Sequence, residues 1–453
     1  MATNIAYSVP AAIHNRHGAI ADGVANQARE PALSAARLPL VTALFLGTLA
    51  FGAVQAWAWG VTAVLVALAL FLWALATVRT GVLRVVWTPL YLPAAAFFLL
   101  GFVQFSAHLT ADPISTRESF VKLATDLVIF FLATQLWSAE SPEQNRRLVI
   151  GIVIFAGALA LFSLSQFFAS PRTIYGIVKP RWGGWIFGPY VNHNHYAGLM
   201  EMLIPIALCY LLFLGTGRGS PPGRGLAAFA VVVAVASLLL SGSRGGLLSL
   251  AAELLLLTLI LWRRRPGARR SRLAAAGLLG MVAVALLFLW MDSGQISKRL
   301  GTIADVTRAP DATLGERRML ARDSLRIFHD HPWLGTGLGT FATVYPRYRS
   351  FASDLEWDHA HNDYAEALAE TGIAGAVVIL SALGLFFILA FRNLNERLEH
   401  GSGWIGLGAA IGCCGLMVHG LADFNLHIPA NAAWFSLLIG LAVSPARLRR
   451  TPE

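Results

Sequence analysis

Charge is scarce in this sequence. Only 13% of its 453 residues are Asp, Glu, Lys or Arg, against about 25% in an ordinary soluble chain. Hydrophobic residues make up 56%, and mean hydropathy is +0.61. A soluble fold of this length would leave far too much apolar surface in water, which excludes a soluble enzyme, a nucleic-acid binder and a disordered scaffold. Cysteine is scarcer still. Cys209, Cys413 and Cys414 all lie inside apolar runs, where a thiol is an inert packing group, so neither a disulfide nor a thiolate metal site is expected. Strict polar–apolar alternation is missing as well, which removes a membrane β-barrel. What is present are long, continuous apolar runs. They predict an all-α fold, a polytopic transmembrane helical bundle.

About 20 mostly apolar residues cross a bilayer. Twelve segments qualify: 37–55, 59–78, 86–107, 118–137, 148–168, 194–214, 225–241, 245–262, 273–291, 372–391, 404–421 and 430–445. The domain plan is then a disordered cytoplasmic tail (1–36), nine spans (37–291), a long loop with short helices (292–371), three spans (372–445) and a short cytoplasmic tail (446–453). Arg37 ahead of the first apolar run reads as an uncleaved signal-anchor, because another span follows at once.

The net charge of +10 resides largely in loops that alternate along this map. Arg79 and Arg84, Arg146 and Arg147, Arg218 and Arg224, the run Arg263–Arg272, Arg392 and Arg397, and Arg447–Arg450 all fall on one side. Basic loops stay cytoplasmic. Both termini are therefore expected inside, and the 292–371 loop outside.

The remaining polar features then gather on the outer side. Histidines occur in Asn192-His193-Asn194-His195, in Asp358-His359-Ala360-His361, and as His419 and His427 around Asp423. Imidazole suits zinc and similar ions, yet no acidic or Cys ligand accompanies these at a known spacing, so no metal is expected. Arg244 lies in Ser243-Arg244-Gly245-Gly246 between two apolar runs, which leaves its charge near the membrane surface. A charge at that depth is costly and functional, and guanidinium offers a planar fork for phosphate oxygens. Arg172, Lys179 and Arg181 mark one outer loop. Arg317, Arg318, Arg322 and Arg326 mark another, which is helix-like, with Arg318, Arg322 and Arg326 on one face and Arg317 about 100° away. Outer loops avoid positive charge, so its retention points to an anionic ligand. Within the spans, Lys122 and Asp126 are four apart and can pair, while Glu201 and Glu253 read as isolated carboxylates.

These residues form a recognisable order. His361-Asn362, nine residues, then Gly372-x-x-Gly375 resembles the signature of the O-antigen ligase and polymerase superfamily. His331-Pro332-Trp333-Leu334-Gly335-Thr336-Gly337 resembles the superfamily's His-Pro-x-x-Gly-x-Gly stretch. Ser243-Arg244-Gly245 and His193-Asn194-His195-Tyr196 resemble two further segments. The resemblance covers most of 148–445. It implies transfer of a glycan from an undecaprenyl-pyrophosphate carrier to an acceptor hydroxyl, on a lipid A core or a growing glycan, at the periplasmic face of the bacterial inner membrane. His361 falls on the superfamily's essential His and Arg244 on its first essential Arg. Arg317 or Arg318 falls on the second. The Thr-Thr that follows the second Gly in some members is Ala376-Val377 here.

This assignment gives the residues a chemistry. Arg244 with Arg317 or Arg318 would stabilise the leaving pyrophosphate in place of a metal. His361, an imidazole of ordinary pKa about 6.5, would take the acceptor's proton, and attack opposite the leaving group would invert the anomeric carbon. Asn362, Asp363, His195 and Arg181 are the supporting candidates. No cofactor and no nucleic-acid partner is expected; donor, acceptor and membrane lipids are. Two other readings remain open: a polymerase of the same superfamily, and a lipid-linked glycan transporter built on Glu201, Glu253, Lys122 and Asp126.

Overall fold

The computed structural model describes residues 18–81, 83, 85–137, 142–180, 185–264, 280, 314–352, 356–392 and 394–444. Among them the regular structure is helical. The helices that matter here are α1 (Gly18–Leu49), α2 (Ala56–Thr80), α3 (Tyr91–Ser106), α4 (Pro113–Leu136), α5 (Pro142–Ala169), α6 (His193–Phe213), α7 (Pro221–Ser241), α8 (Arg244–Arg264), α9 (Leu314–Asp330), α10 (Asp363–Phe391), α11 (Gly401–His419) and α12 (Pro429–Val443). Eight are long and apolar enough to cross a membrane, and Leu33–Leu49, α3 and α12 are shorter apolar helices. The segment 273–291, expected to span, lies outside the described residues.

The sequence punctuates these helices where the structure does. Asp112 caps α4, accepting from the amides of Ile114 (3.0 Å) and Ser115 (3.3 Å), with Pro113 at the first helical position. Gly242 ends α7 in a left-handed conformation, φ +74°, and the Ser243 hydroxyl accepts from Gly246 N at 3.1 Å to start α8. Asn362 caps α10 through the amides of Tyr364 (3.1 Å) and Ala365 (2.9 Å). Each cap satisfies amides that have no intrahelical partner.

One boundary differs from expectation. Helix α1 begins at Gly18, inside the segment expected to be a disordered tail. Its Ala, Gln, Arg and Glu residues are good helix formers although they carry no apolar stripe. Helix α10 begins at Asp363, well before the apolar run. Its first turns carry the buried Asp363, Glu366 and Glu370 ahead of the 372–391 segment, so that one helix leads from His361 into that span.

Helix α6 forms the centre and is buried along most of its length. Helix α11 closes on it through two small residues. A Cβ on Gly408 would lie 2.7 Å from Ile206 Cα, and one on Gly412 2.7 Å from Met202 O. Small residues let helices approach without a hydrophobic force between them. The outer surface stays apolar, with Val64, Phe71, Val78, Val232 and Leu380 all more than half exposed, as a lipid solvent requires.

Ion pairing inside the bundle departs from the sequence expectation. Lys122 pairs with Glu118, at 2.7 Å, rather than with Asp126, and its ammonium lies 5.5 Å from the Trp59 ring centroid. Glu201 is not isolated: its Oε1 lies 2.7 Å from His419 Nδ1, both side chains buried. Glu253 packs against Gly415, and neither carboxylate oxygen has a hydrogen-bond partner among the described residues.

Helix α9 lies across one end of the bundle. Its inward face carries Leu320, Asp323, Ser324 and Ile327, and it packs on Phe341, Tyr345, Trp357 and Ala369. This is the spacing of an amphipathic helix on a core.

Candidate active site

The two glycine motifs meet at a kink in α10. Gly372 sits at φ +61°, ψ −158°, a region open to glycine alone. A Cβ there would come within 2.6 Å of the Trp333 carbonyl, and one on Gly335 within 2.2 Å of the Glu370 carbonyl carbon. The His331–Gly339 stretch is thereby laid directly on the helix. Ile373 N donates to Pro332 O (2.8 Å), Thr336 N to Ala369 O (3.0 Å) and Gly337 N to Glu370 O (3.0 Å). The Glu370 carboxylate accepts from Gly339 N and Phe341 N, both at 2.9 Å. Gln104 of α3 ties Leu334 O (2.7 Å) and Glu370 O (2.8 Å) to the same place. These motifs thus build the platform in the first turns of α10, which begins two residues after His361.

His361 has φ +49°, a left-handed conformation that costs a non-glycine residue about 1–3 kcal/mol. The following residues hold it there. Asp363 N donates to Gly420 O (2.8 Å) and Asp423 O (3.2 Å), and Asn362 Nδ2 donates to Leu421 O (2.8 Å). The imidazole then points at Asp423 in the turn after α11, with Nδ1 3.6 Å from Oδ1.

Asp423 is the hub. It is fully buried, with His195 Nε2 at 3.8 Å and Arg317 Nη1 at 3.7 Å as well. Burial pushes its carboxyl up, but the imidazoles of His195 and His361 outweigh this and hold it well below the usual carboxylate range. These separations are ion-pair rather than hydrogen-bond lengths; a small shift or a bridging water closes them. Arg317 also donates to Ala422 O, while its Nε is buried without a hydrogen-bond partner among the described residues. An orphaned buried donor costs about 1–3 kcal/mol and suits a ligand oxygen. Phe424 separates the rings, with His195 and His361 edge-on at 4.8 Å and His359 stacked at 4.3 Å.

The structure distributes the expected residues unevenly. His361, His195 and Arg317 converge on Asp423. Arg318 is exposed with Arg322 and Arg326 on the outer face of α9. Arg244 is exposed at the first position of α8, and the next residue, Gly245, packs against the His419 ring. Asn362 and Asp363, supporting candidates to orient the imidazole or a sugar hydroxyl, have other partners here: Asn362 caps α10, and Asp363 Oδ1 lies 3.1 Å from His427 Nδ1. The first turn of a helix needs its amides capped, and that claims the Asn side chain. Arg181 lies outside the described residues. Sequence reading missed Asp423 as a partner of His361; its signal was a lone acid in the short turn between two apolar helices.

A second cluster lies across Phe424. Glu366 Oε1 is 2.7 Å from His359 Nδ1 and 3.2 Å from His427 Nε2. The donor atoms of these three residues all fall within 4.8 Å of one another, the spacing of a set able to hold a metal ion. Beside it opens a cavity of about 620 Å³ reaching from Asp358, His359, Asp363 and His427 down to Phe386 and Ile439.

The amino ends of α6, α8, α10 and α12 all reach this end of the bundle, through His195 to Asp423, Gly245 to His419, Asp363 to Gly420, and Asn431 Nδ2 to His195 O (2.9 Å). Helix amino ends carry partial positive charge. Arg317 and Arg244 add positive charge at the same end. No curated protein matches the chain. Residues 229–380, which include Arg244, Arg317, Arg318 and His361, match the family model described as O-antigen ligase.

Proposed function

We propose that this chain is an inverting, metal-independent membrane glycosyltransferase that moves a glycan from undecaprenyl pyrophosphate to an acceptor hydroxyl at the periplasmic face of the inner membrane. The observation that carries the reading is the convergence of His361, Arg317 and buried Asp423 at the end of an apolar bundle. Asp423 opposite Nδ1 favours the tautomer with its proton there, which leaves the His361 Nε2 lone pair for the acceptor hydroxyl. As the hydroxyl oxygen bonds to the anomeric carbon, the bond to the pyrophosphate oxygen breaks on the opposite face. The proton passes to Nε2, and the imidazolium is stabilised by Asp423. The leaving oxygens meet Arg317 and Arg244, preorganised charges that act where the anion develops. The apolar walls of the 620 Å³ cavity suit the prenyl chain. The basic loops, at the other end of the spans, support cytoplasmic termini and twelve crossings.

Purified protein, given a carrier-linked glycan and a lipid A core acceptor, should release the carrier pyrophosphate and form the joined product. His361→Ala should abolish the product while donor binding persists. Full activity in that variant would overturn the assignment of the base. Product formed only when a second carrier-linked glycan is the acceptor would make the chain a polymerase of the same superfamily.

A further inference from the structure

We infer that His359, Glu366 and His427 form a binding site for a divalent transition cation of the zinc class, which clasps the segment leading into His361. The transfer chemistry uses none of these three side chains. Two imidazoles and one carboxylate are a zinc-type donor set, with ligand distances of about 2.0–2.2 Å. Tetrahedral geometry at those lengths puts neighbouring donors roughly 3.4 Å apart. Here His427 Nε2 and Glu366 Oε1 stand at 3.2 Å, and His359 Nδ1 and Glu366 Oε1 at 2.7 Å. The Glu366 pairs open by a few tenths of an ångström and the two histidine nitrogens, within 4.8 Å of one another, close toward the same spacing to admit the ion, which replaces the protons now shared between these atoms and releases them to solvent.

Each ligand is already aimed. Glu366 Oε2 accepts from Ala360 N at 2.7 Å, which leaves Oε1 turned to both rings. His427 presents Nε2 because its Nδ1 faces Asp363 Oδ1 at 3.1 Å. A carboxylate behind a ligating histidine fixes its tautomer and raises its basicity. His359 is held flat by stacking on Phe424, at 4.3 Å and 22°. Glu366 is 1% exposed, whereas both histidines are 28% exposed. They border the cavity, which gives the ion a path in and water a fourth position.

The three ligands come from three elements. His359 is in the segment before α10, Glu366 in the first turns of α10, and His427 in the turn before α12. One ion would tie all three together two residues from His361, whose left-handed backbone needs outside support. The cation is thus a clasp, separated from the reacting groups by Phe424.

The test is metal content, not turnover. Protein without an affinity tag, stripped with chelator and dialysed against micromolar Zn²⁺, should retain one equivalent by elemental analysis. Co²⁺ in its place should give the intense visible bands of a tetrahedral site. Glu366→Gln and His427→Ala should each weaken binding at least tenfold, and His400→Ala, an exposed histidine outside the cluster, should not. Absence of bound Zn²⁺ and of Co²⁺ bands in the wild-type protein would overturn the proposal whatever the variants do. So would binding that Glu366→Gln and His427→Ala, both folded, leave unchanged.

Discussion

Asp423 stands 3.6 Å from His361 Nδ1 with no exposure to solvent, and it is the one carboxylate at that distance from the ring among the described residues. Asp423→Asn keeps the shape and removes the charge that would stabilise an imidazolium. Glycan transfer should fall about 100-fold, equivalent to ~2.7 kcal/mol, with donor binding little changed. The same residue sets a stability trend. Its folded-state value lies well below the ordinary 3.8, so its contribution is complete above that value and is lost as pH falls through the folded one. Wild-type protein should lose melting temperature steeply below about pH 4, and the Asn variant less so. Equal slopes for the two would remove Asp423 as the hub.

Arg317 and Arg318 should separate cleanly. Arg317 is 17% exposed and reaches Asp423 and Ala422, whereas Arg318 faces solvent. Lys keeps the charge but not the fork. Arg317→Lys and Arg244→Lys should each cost at least tenfold in transfer, about 1.4 kcal/mol, and Arg318→Lys less than twofold. A strong effect confined to Arg318 would mean that α9 turns its other face to the donor.

These contacts explain what could be read from sequence and what could not. Apolar helices are legible because hydrocarbon demands a continuous apolar run, so those among the described residues fall where hydropathy put them. The start of α1 was not, because its residues are polar and its helicity comes from propensity. His361 and Arg244 stood out through motif and depth. Choosing Arg317 over Arg318 needed the buried face of α9, and the 3–4–3 spacing of 317, 320, 324 and 327 does carry it. Asp423 was hidden because its contacts join the turn after α11 to α6, α9 and the segment before α10, which no local pattern encodes.

Gly245 offers a test of packing behind Arg244. A Cβ there would sit 2.3 Å from His419 Nε2, and Glu201 pins that ring at 2.7 Å. Gly245→Ala must move one of them, and overpacking costs about 1–3 kcal/mol. Thermal unfolding in detergent should show the loss. Gly60→Ala, with nothing within 4 Å of the added carbon, should be neutral or stabilising.

Orientation can be tested by labelling. In a protein lacking its native cysteines, Ala352→Cys lies on the exposed segment before α10 and His400→Cys in the exposed turn before α11. A membrane-impermeant maleimide applied to whole spheroplasts should label position 352 and spare 400. The reverse pattern would place the His361 cluster in the cytoplasm, where a periplasmic transfer has no meaning.

Arg397 should matter for stability and not for chemistry. It is buried at the end opposite the site, where Nη1 donates to Ala390 O at 2.9 Å and Nη2 to Ala442 O at 2.8 Å. One guanidinium thus closes the carboxyl ends of α10 and α12, where positive charge is favoured. Burial lowers its pKa to about 10, which leaves it protonated at neutral pH. A lysine ammonium is a compact point charge and cannot span both carbonyls as the fork does. Arg397→Met leaves two buried carbonyls unpaired, at about 1–3 kcal/mol each. The melting temperature should drop by several degrees in Arg397→Met and by less in Arg397→Lys. Transfer measured below the transition should stay within twofold of wild type in both, because Arg397 binds the carboxyl ends of α10 and α12, at the opposite end from His361 and Asp423. An unchanged melting temperature would mean that the last turns of α10 and α12 are held by lipid and neighbouring helices instead.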